Sequence, residues 1–416
     1  MDYLLYYLFA WGFLCRPVSA WVSSSALHHH HHGHPTTTVR LNMMVDVGSL
    51  LYQEQEKAIV ERGRVEGELM AHFTEAIQPN VVRGAGAGGG FGSSTSSKTP
   101  SPKQLKEEAK AHAKVLKDEG VVRIDNVLPR DLADKIRKFV FELRKESEDA
   151  VQSGKVKPKE RFADVLQKEN RCDMTLPLAT SDGITADGLV ALLQQSAIGE
   201  TIKNLLGKDA VLYEFSCLIS DPGSSRQVMH PDTPCATKDE EPVLYTCFVA
   251  LQDITADMGP TTWMPGTHTL EAHQTFKDEQ AKDEQLKRGP AVLGLLPKGC
   301  CGIFDSRLLH CGGANISFTE DDEKKDSLKH RAVFYFSFRN PKVPNAGNPG
   351  SSKLLSQVEN ASCQHVCFVN VSTLTRSLYG VLEKVRPNLI NKWTLSGLEK
   401  ELKTFAKNRK SDVFLL

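Results

Sequence analysis

The stretch from Arg226 to Asn340 constrains this chain more than any other. It opens with RQVMHPDTP, which holds the only His-x-Asp triplet in the sequence, at His230 and Asp232. It closes with LLHCGGANIS, which holds His310, and KHRAVFYFSF, which holds Arg331. On a β-strand residues i and i+2 point to one face, so a strand here turns His230 and Asp232 toward a common point and Pro231 away from it. His310 comes much later, so the fold must double back to bring a third donor to that point. The run around Arg331 alternates cleanly. Arg331, Val333, Tyr335 and Ser337 fall on one face and Ala332, Phe334, Phe336 and Phe338 on the other.

Two imidazoles and one carboxylate on one face of an octahedron leave three positions open, the donor set of non-haem Fe(II) sites. An Arg facing into a pocket calls for an anion, and its fork suits a carboxylate. The plain alternatives are a surface His beside a turn Asp, and an Arg on a solvent-exposed edge. Context favours the site. The triplet stands where the β-rich half begins, and His310 follows a strand and precedes Gly-Gly and Asn-x-Ser.

The order of elements suggests an α+β fold. KQLKEEAKAHAKVLKDEG reads as a helix ending at Gly120, VVRIDNVL as a short strand, and PRDLADKIRKFVFELRKESEDAV as a helix with Pro129 at its start. LVALLQQSAIGETIKNLLG adds one more helix. AVLYEFSCLIS, VLYTCFVALQDI, AVLGLLP, GCCGIFD and HRAVFYFSF then follow as β-rich runs between turn residues. Helices first and antiparallel strands afterwards point to a β-sandwich or small barrel flanked by helices. Before this region, Ser49 to Ile77 reads as a charged helix. His72 and Glu75 would share a face of it, and with no further Glu/His pair on a neighbouring helix that face is a solvated one. Arg83 to Pro102 is a Gly/Ser-rich linker with no Gly-Lys-Ser/Thr to make a phosphate loop.

At the N-terminus, MDYLLYYLFAWGFLCRPVSA carries an apolar core too short to span a bilayer as a helix, with Val18-Ser19-Ala20 placed for signal-peptidase cleavage. The Ser/Thr-rich segment after it has no acidic residue before Asp46. With Trp21 at the cleavage point, it resembles the bipartite presequence of algae with complex plastids, so the expected destination is a plastid, the alternative being the secretory pathway. The run His28 to His32 with His34 is read as low-complexity sequence or a cloning residue rather than a metal site. The expected domains are a signal peptide (1–20), a transit-like segment (21–45), a helical extension (46–82), the linker (83–103), a catalytic domain (104–345) and a helical C-terminal extension (346–416). Formal net charge is zero and the pI is near 7.2, which gives no electrostatic reason to expect nucleic acid as a partner. Ten cysteines include no C-x-x-C pair, and Cys363, His365 and Cys367 lack the second half of a zinc site, so small buried thiols in a reducing compartment are expected. Three N-x-S/T sequons stand at Asn315, Asn360 and Asn370.

From about Ala111 to Arg339 the ordered pieces resemble the phytanoyl-CoA dioxygenase-like branch of the Fe(II)/2-oxoglutarate oxygenases. GVVRIDNVLPRDLADKIR looks like that family's opening strand and helix, and MHPDTP like its first ligand motif. FVALQDITADMGPTTWMPGTHT looks like its core, and KGCCGIFDSRLLHCGGANIS followed by Arg331 like its end. The resemblance implies a double-stranded β-helix (jelly-roll or cupin-like) core. It also implies Fe(II) held by His230, Asp232 and His310, and 2-oxoglutarate anchored through its distal carboxylate by Arg331 with Phe248 lining its pocket. The implied reaction consumes O2 and 2-oxoglutarate, releases succinate and CO2, and hydroxylates a C–H bond of a small-molecule or lipid-like substrate. Halogenating relatives carry a small residue where Asp232 stands, so hydroxylation is expected here. Two departures stand out: a charged insert, TEDDEKKDSLK, between His310 and Arg331, and Met258 in place of the usual Asn before Gly259-Pro260. A zinc hydrolase on the same ligands and a non-catalytic β-barrel small-molecule-binding module with a vestigial site are the competing readings.

Overall fold

The computed structural model describes residues 36–80, 100–158, 161–163, 165, 169–177, 183–238, 240–317, 329–343 and 394–412. The signal peptide and the transit-like segment as far as Pro35, which includes the His28–His34 run, the centre of the linker, the Cys363/His365/Cys367 cluster and the charged insert up to Leu328 lie outside these residues. The chain divides into two compact units at Glu54, and everything below belongs to the second, Gln55–Leu416, apart from the start of the first helix. No helix among the described residues is long and apolar enough to cross a membrane.

Helix α1 (Thr36–Leu69) stops short of the sequence expectation, which ran it to Ile77. The chain turns after Leu69 because residues 75–77 join a sheet edge instead. Ile77 donates its N–H to Leu293 O (2.9 Å), and Leu293 donates to Glu75 O (2.8 Å). His72 and Glu75 are both exposed, His72 in the turn and Glu75 at the sheet edge, rather than together on a helix face. Helix α2 (Pro102–Glu119) opens on a reciprocal cap. Gln104 N–H donates to the Ser101 hydroxyl (3.3 Å) while Ser101 N–H donates to the Gln104 side chain (2.8 Å). It feeds strand β1 (Val121–Ile124). Helix α3 (Arg130–Gln152) buries Ala133, Ile136, Val140 and Leu143 at helical spacing. LVALLQQSAIGETIKNLLG, expected as one helix, is the greater part of two, α4 (Ile184–Gln194) and α5 (Ile198–Leu206). Ser196 causes the break. Its hydroxyl donates back to Leu192 O (2.6 Å) and accepts from Ile198 N–H (3.2 Å), closing one helix and opening the next. A last helix, α8 (Leu395–Asp412), packs Leu395, Leu398 and Leu402 into the core.

The strands are β2 (Phe162–Ala163), β3 (Arg171–Thr175), β4 (Val211–Ser220), β5 (Leu244–Ala250), β6 (Thr261–Trp263), β7 (Val292–Leu293), β8 (Cys301–Asp305), β9 (His310–Gly312) and β10 (Arg331–Arg339). Between β6 and β7 lie α6 (Leu270–Thr275) and α7 (Glu279–Arg288). The large sheet runs β1-β8-β5-β10-β4-β3-β2 and the small one β7-β6-β9, with every neighbour pair antiparallel. His230 adds a fourth position to the small sheet through an isolated bridge to His310. From β4 onward the chain alternates: β4 large, His230 small, β5 large, β6 and β7 small, β8 large, β9 small, β10 large. That interleaving is a double-stranded β-helix, as expected.

Its large sheet is apolar on the outside. Phe215, Cys217, Ile219, Cys247, Val249, Phe334, Phe336 and Phe338 form one cluster with Ile136, Val140, Leu189 and Leu192 of the helices. Each such aromatic or aliphatic side chain removed from water contributes about 2 kcal/mol. Inside, Phe248, Ala250, Phe304, Val333 and Trp263 plug the space between the sheets at the β5–β8 side. The other side of that interior, under β3, β4 and β10, is lined by polar residues.

A candidate metal centre beside a buried guanidinium

His230 and His310 face each other across the small sheet as a hydrogen-bonded pair, each donating its N–H to the other's carbonyl (2.9 Å both ways). The rings therefore lie on one side, with centroids 4.7 Å apart. Each ring is also fixed by its own backbone. His230 Nδ1–H donates to Val228 O (2.8 Å) and His310 Nδ1–H to Leu308 O (2.9 Å). That choice of proton leaves both Nε2 lone pairs free, the arrangement usual behind a metal-bound histidine.

Asp232 arrives differently from the sequence expectation. His230 and Asp232 do not share a regular strand: only His230 is bridged, and Asp232 sits in a bend. Pro231 has no N–H to continue the ladder, so pairing ends at His230. The carboxylate still reaches the same point, with Oδ1 3.7 Å from His310 Nε2. Among the described residues, His230, Asp232 and His310 form the group able to hold a metal ion, their donor atoms all within 4.8 Å of one another. The electrostatics fit a cation. Burial pushes both histidines down to about 4, His230 also through its neighbour His310, so the rings are neutral donors at neutral pH. Burial raises Asp232 to about 6, against the pull of His230. Three donors crowded together without a counter-ion want a positive charge between them.

Arg331 stands on the inner face of β10, only 1 % exposed. Its Nη2 donates to Ser220 Oγ (2.9 Å), while Nε and Nη1 are buried with no hydrogen-bond partner. Burial and the neighbouring Arg171 guanidinium both disfavour its charge. A guanidinium does not give up its proton in a protein, so the shortfall is one an anion would fill. The sheet register explains the neighbour: Arg171 on β3 and Arg331 on β10 both pair with Ser220 on β4, one straight row across three strands. Arg171, itself buried, donates Nε to Ser220 Oγ (3.3 Å) and Nη2 to Ser225 O (2.8 Å). Sequence reasoning missed it. The signal lay in RCDMT, whose alternation runs with its charges inward, the reverse of an ordinary surface strand.

Gly312 links the two halves of the site. It follows His310 by two residues on β9 and so shares its inward face. A Cβ there would come 2.7 Å from Gln227 Oε1 and 3.5 Å from Arg331 Nη2, which places the guanidinium beside the metal ligands' strand. Gln227 was also missed. Its Oε1 accepts from Gly312 N–H (2.9 Å), and its own N–H donates to Gly312 O (2.9 Å). Phe248 lies inside the barrel between the rings of Phe304 and Tyr335, centroids 5.0 and 5.6 Å away.

The remaining expected features fall into place as structure. Asn315, fully buried, donates Nδ2 to Ser220 O (2.9 Å) and Lys329 O (3.0 Å), and accepts from the Ser317 hydroxyl (2.5 Å). Its sequon ties β4 to the approach of β10 and is closed to glycosylation in the folded chain. Met258 closes a 3-10 turn (Ala256–Met258) away from the metal donors. The residue the crossing requires is Gly259, where φ is 66° and a Cβ would meet Gly313 and Ala314 at 2.5 Å. The seven cysteines among the described residues are free thiols, six of them buried.

Residues 116–320, a little under half of the chain, match the family model described as Phytanoyl-CoA dioxygenase (PhyH). Among solved structures, AviO1 from Streptomyces viridochromogenes Tue57 is 16 % identical, with 57 % of this chain and 96 % of that one covered at a TM-score of 0.40. The epimerase SnoN from nogalamycin biosynthesis, solved with Fe3+, alpha ketoglutarate and nogalamycin RO, is 18 % identical, with coverages of 60 % and 89 % and a TM-score of 0.40. The non-heme alpha ketoglutarate dependent carbocyclase SnoK is 17 % identical, with coverages of 56 % and 84 % and a TM-score of 0.37.

Proposed function

We propose that this chain is an Fe(II)- and 2-oxoglutarate-dependent dioxygenase that hydroxylates a C–H bond of a small molecule. The observation that carries the reading is Arg331. It is a guanidinium buried with two N–H-bearing nitrogens unpartnered, its head 3.5 Å from where a Gly312 side chain would begin, next to His310 on the same strand face. An anion bound there stands beside the three metal donors. The match of residues 116–320 to the phytanoyl-CoA dioxygenase family model supports the same reading.

Iron(II) with 2-oxoglutarate and O2 supplies oxidative decarboxylation to succinate and CO2 and the oxidising power for a C–H bond. This chain's residues supply the rest. His230 and His310 are presented as neutral Nε2 donors because Val228 O and Leu308 O hold the Nδ1 protons. Asp232 would complete the donor set as a carboxylate where halogenating oxygenases have a small residue, which favours hydroxylation. Arg331, with Ser220 behind it and Arg171 in the same row, receives the distal carboxylate and fixes which way the cosubstrate points. Phe248, Phe304 and Trp263 close the β5–β8 side of the interior to water. The leader supports a plastid destination, which a fusion of residues 1–45 to a fluorescent reporter in an alga with complex plastids would test.

The deciding experiment measures succinate from the full chain under air with Fe(II), ascorbate and 2-oxoglutarate. Wild type is compared with Asp232→Ala and Arg331→Ala. We expect iron-dependent succinate in wild type, with each variant down by about a hundredfold or more, the scale of losing a pre-organised charge contact. No succinate, together with no binding of 2-oxoglutarate in the presence of a redox-inert metal, would reject this reading.

A further inference from the structure

The interior of the large sheet is divided by charge. At one end stands the Arg171–Ser220–Arg331 row. Further along the same inner face come Asp173 on β3, Ser216 and Glu214 on β4, Tyr335 and Ser337 on β10, and Thr246 on β5. Register fixes this grouping: Tyr335 pairs with Ser216 and Phe248, and Ser337 with Glu214 and Thr246. Asp173, on the same face as Arg171 two residues before it, takes the Tyr335 hydroxyl on Oδ2 (2.6 Å). Glu214 takes the Ser337 hydroxyl on Oε2 (2.6 Å).

Among the described residues neither carboxyl has a cationic partner within ion-pair distance. Asp173 is 8 % exposed, and its Oδ1 is buried with no hydrogen bond at all. The Thr246 hydroxyl on the same face, 3 % exposed, is likewise without a partner. Native interiors rarely leave such atoms unmatched, and a buried carboxyl lacking a counter-charge is costly unless something else enters. Glu214 also feels the charges of Asp232 and Asp173, so this wall and the candidate metal ligands share one acidic field. A neutral hydroxyl group would satisfy the free oxygens alone. A cationic nitrogen would satisfy them and also pair with the carboxyls in their charged form, in surroundings where an ion pair is much stronger than in water.

We propose that the wall of Asp173, Glu214, Tyr335 and Thr246 receives a protonated amine of the prime substrate, so that the substrate is a small cationic compound rather than an anionic acyl thioester. This rests on the reading of the centre as a 2-oxoglutarate-dependent oxygenase only in calling the ligand a substrate. Binding itself does not depend on that chemistry. Within the proposal the two charge compartments have separate occupants. The guanidinium end takes the anionic cosubstrate, and the carboxyl end takes a cation whose C–H bonds then lie toward His230, Asp232 and His310.

The test uses the full chain with Mn(II) and 2-oxoglutarate under anaerobic conditions. Binding of 2-phenylethylamine, 2-phenylethanol and 3-phenylpropionate, matched in size and differing in charge, is followed by ligand-observed NMR. In parallel, 2-oxoglutarate binding is followed by quenching of intrinsic fluorescence. We expect the amine to bind at least about tenfold more tightly than the alcohol or the acid. In Asp173→Asn/Glu214→Gln, shown to be folded by its cooperative melting, that preference should collapse. The single variants report each carboxyl separately. Equal binding of amine and alcohol, no amine binding, or a preference that survives in the double variant would overturn the proposal. Amine preference without any quenching by 2-oxoglutarate, and with no succinate formed under air, would leave the cation wall standing and reject the oxygenase reading instead.

Discussion

The inward face of β9 carries His310 and then Gly312, and the second of these decides how much room lies next to the first. Any side chain at Gly312 would press its Cβ to 2.7 Å from Gln227 Oε1 and into van der Waals contact with Arg331 Nη2. Gln227 is held in place, because its N–H donates to Gly312 O and its Oε1 accepts from Gly312 N–H. The cost of Gly312→Ala therefore falls first on the Gln227 bond and, through the displaced strand, on the guanidinium beside it and whatever it binds. We expect Gly312→Ala to retain metal binding and to weaken 2-oxoglutarate by about tenfold, about 1.4 kcal/mol. Isothermal titration with Mn(II) and then with 2-oxoglutarate separates the two. A variant that binds the cosubstrate as wild type does would show that the anion sits elsewhere. This residue was readable only in part. His310 and the Gly-Gly after it stood out, but why the second position must be small depends on Gln227 and Arg331, which are distant in the chain.

At the scale of elements, legibility followed the polarity of the inward faces. β10 was read correctly because its outer face is a run of Phe and Ala against a polar inner face, and β4, β5 and β8 because they are long or apolar. β3 was not read, since its inner residues Arg171, Asp173 and Thr175 build the site and only Cys172 and Met174 face the core. Of the small sheet, β7 was reached within the run AVLGLLP, while β6 and β9 are three residues long, too short for a period to show. The end of α1 was hidden for another reason. Glu66 looks like one more charge on a solvated helix, yet it is 0 % exposed and accepts from Met229 N–H (2.6 Å), the residue before His230. Lys282 of α7 (2.8 Å) and Arg62 (3.0 Å) neutralise it. α1 thus braces the first metal ligand's backbone from behind. Glu66→Ala strands Lys282 in the interior, and we expect a loss of about 3–5 kcal/mol in unfolding free energy. Denaturant titration reads this, with faster amide exchange at Met229 and His230 as the local sign. An unchanged midpoint would mean that α1 rests on the barrel without holding it.

Over the whole molecule, the interior carries carboxyls and imidazoles whose burial pulls stability in opposite directions with pH. Asp173 is raised to about 7 and Glu214 to about 8, both chiefly by burial. A carboxyl whose folded pKa lies above its unfolded value favours the native state while protonated. That contribution is complete below the unfolded pKa, near 4, and is lost as pH rises through the folded value. His230 and His310, pushed down to about 4, work the other way, since their neutral forms favour the fold as pH rises from there to the ordinary histidine range. The wild-type curve alone therefore mixes the two. Comparison with Asp173→Asn/Glu214→Gln cancels the imidazoles, which both proteins share. Between about pH 4 and pH 8 we expect wild type to lose stability relative to the double variant, with Asp173 alone accounting for about 4 kcal/mol at most. Metal-free protein and chemical denaturation at fixed ionic strength give the two curves. Parallel curves would show that the carboxyls are solvated or paired in solution, which removes the reason for a cation to enter. A relative loss that 2-phenylethylamine then reverses above pH 7 would join the stability of the barrel to the ligand it is shaped to hold. An amine that binds only the native, deprotonated wall stabilises it by mass action where the empty wall is weakest.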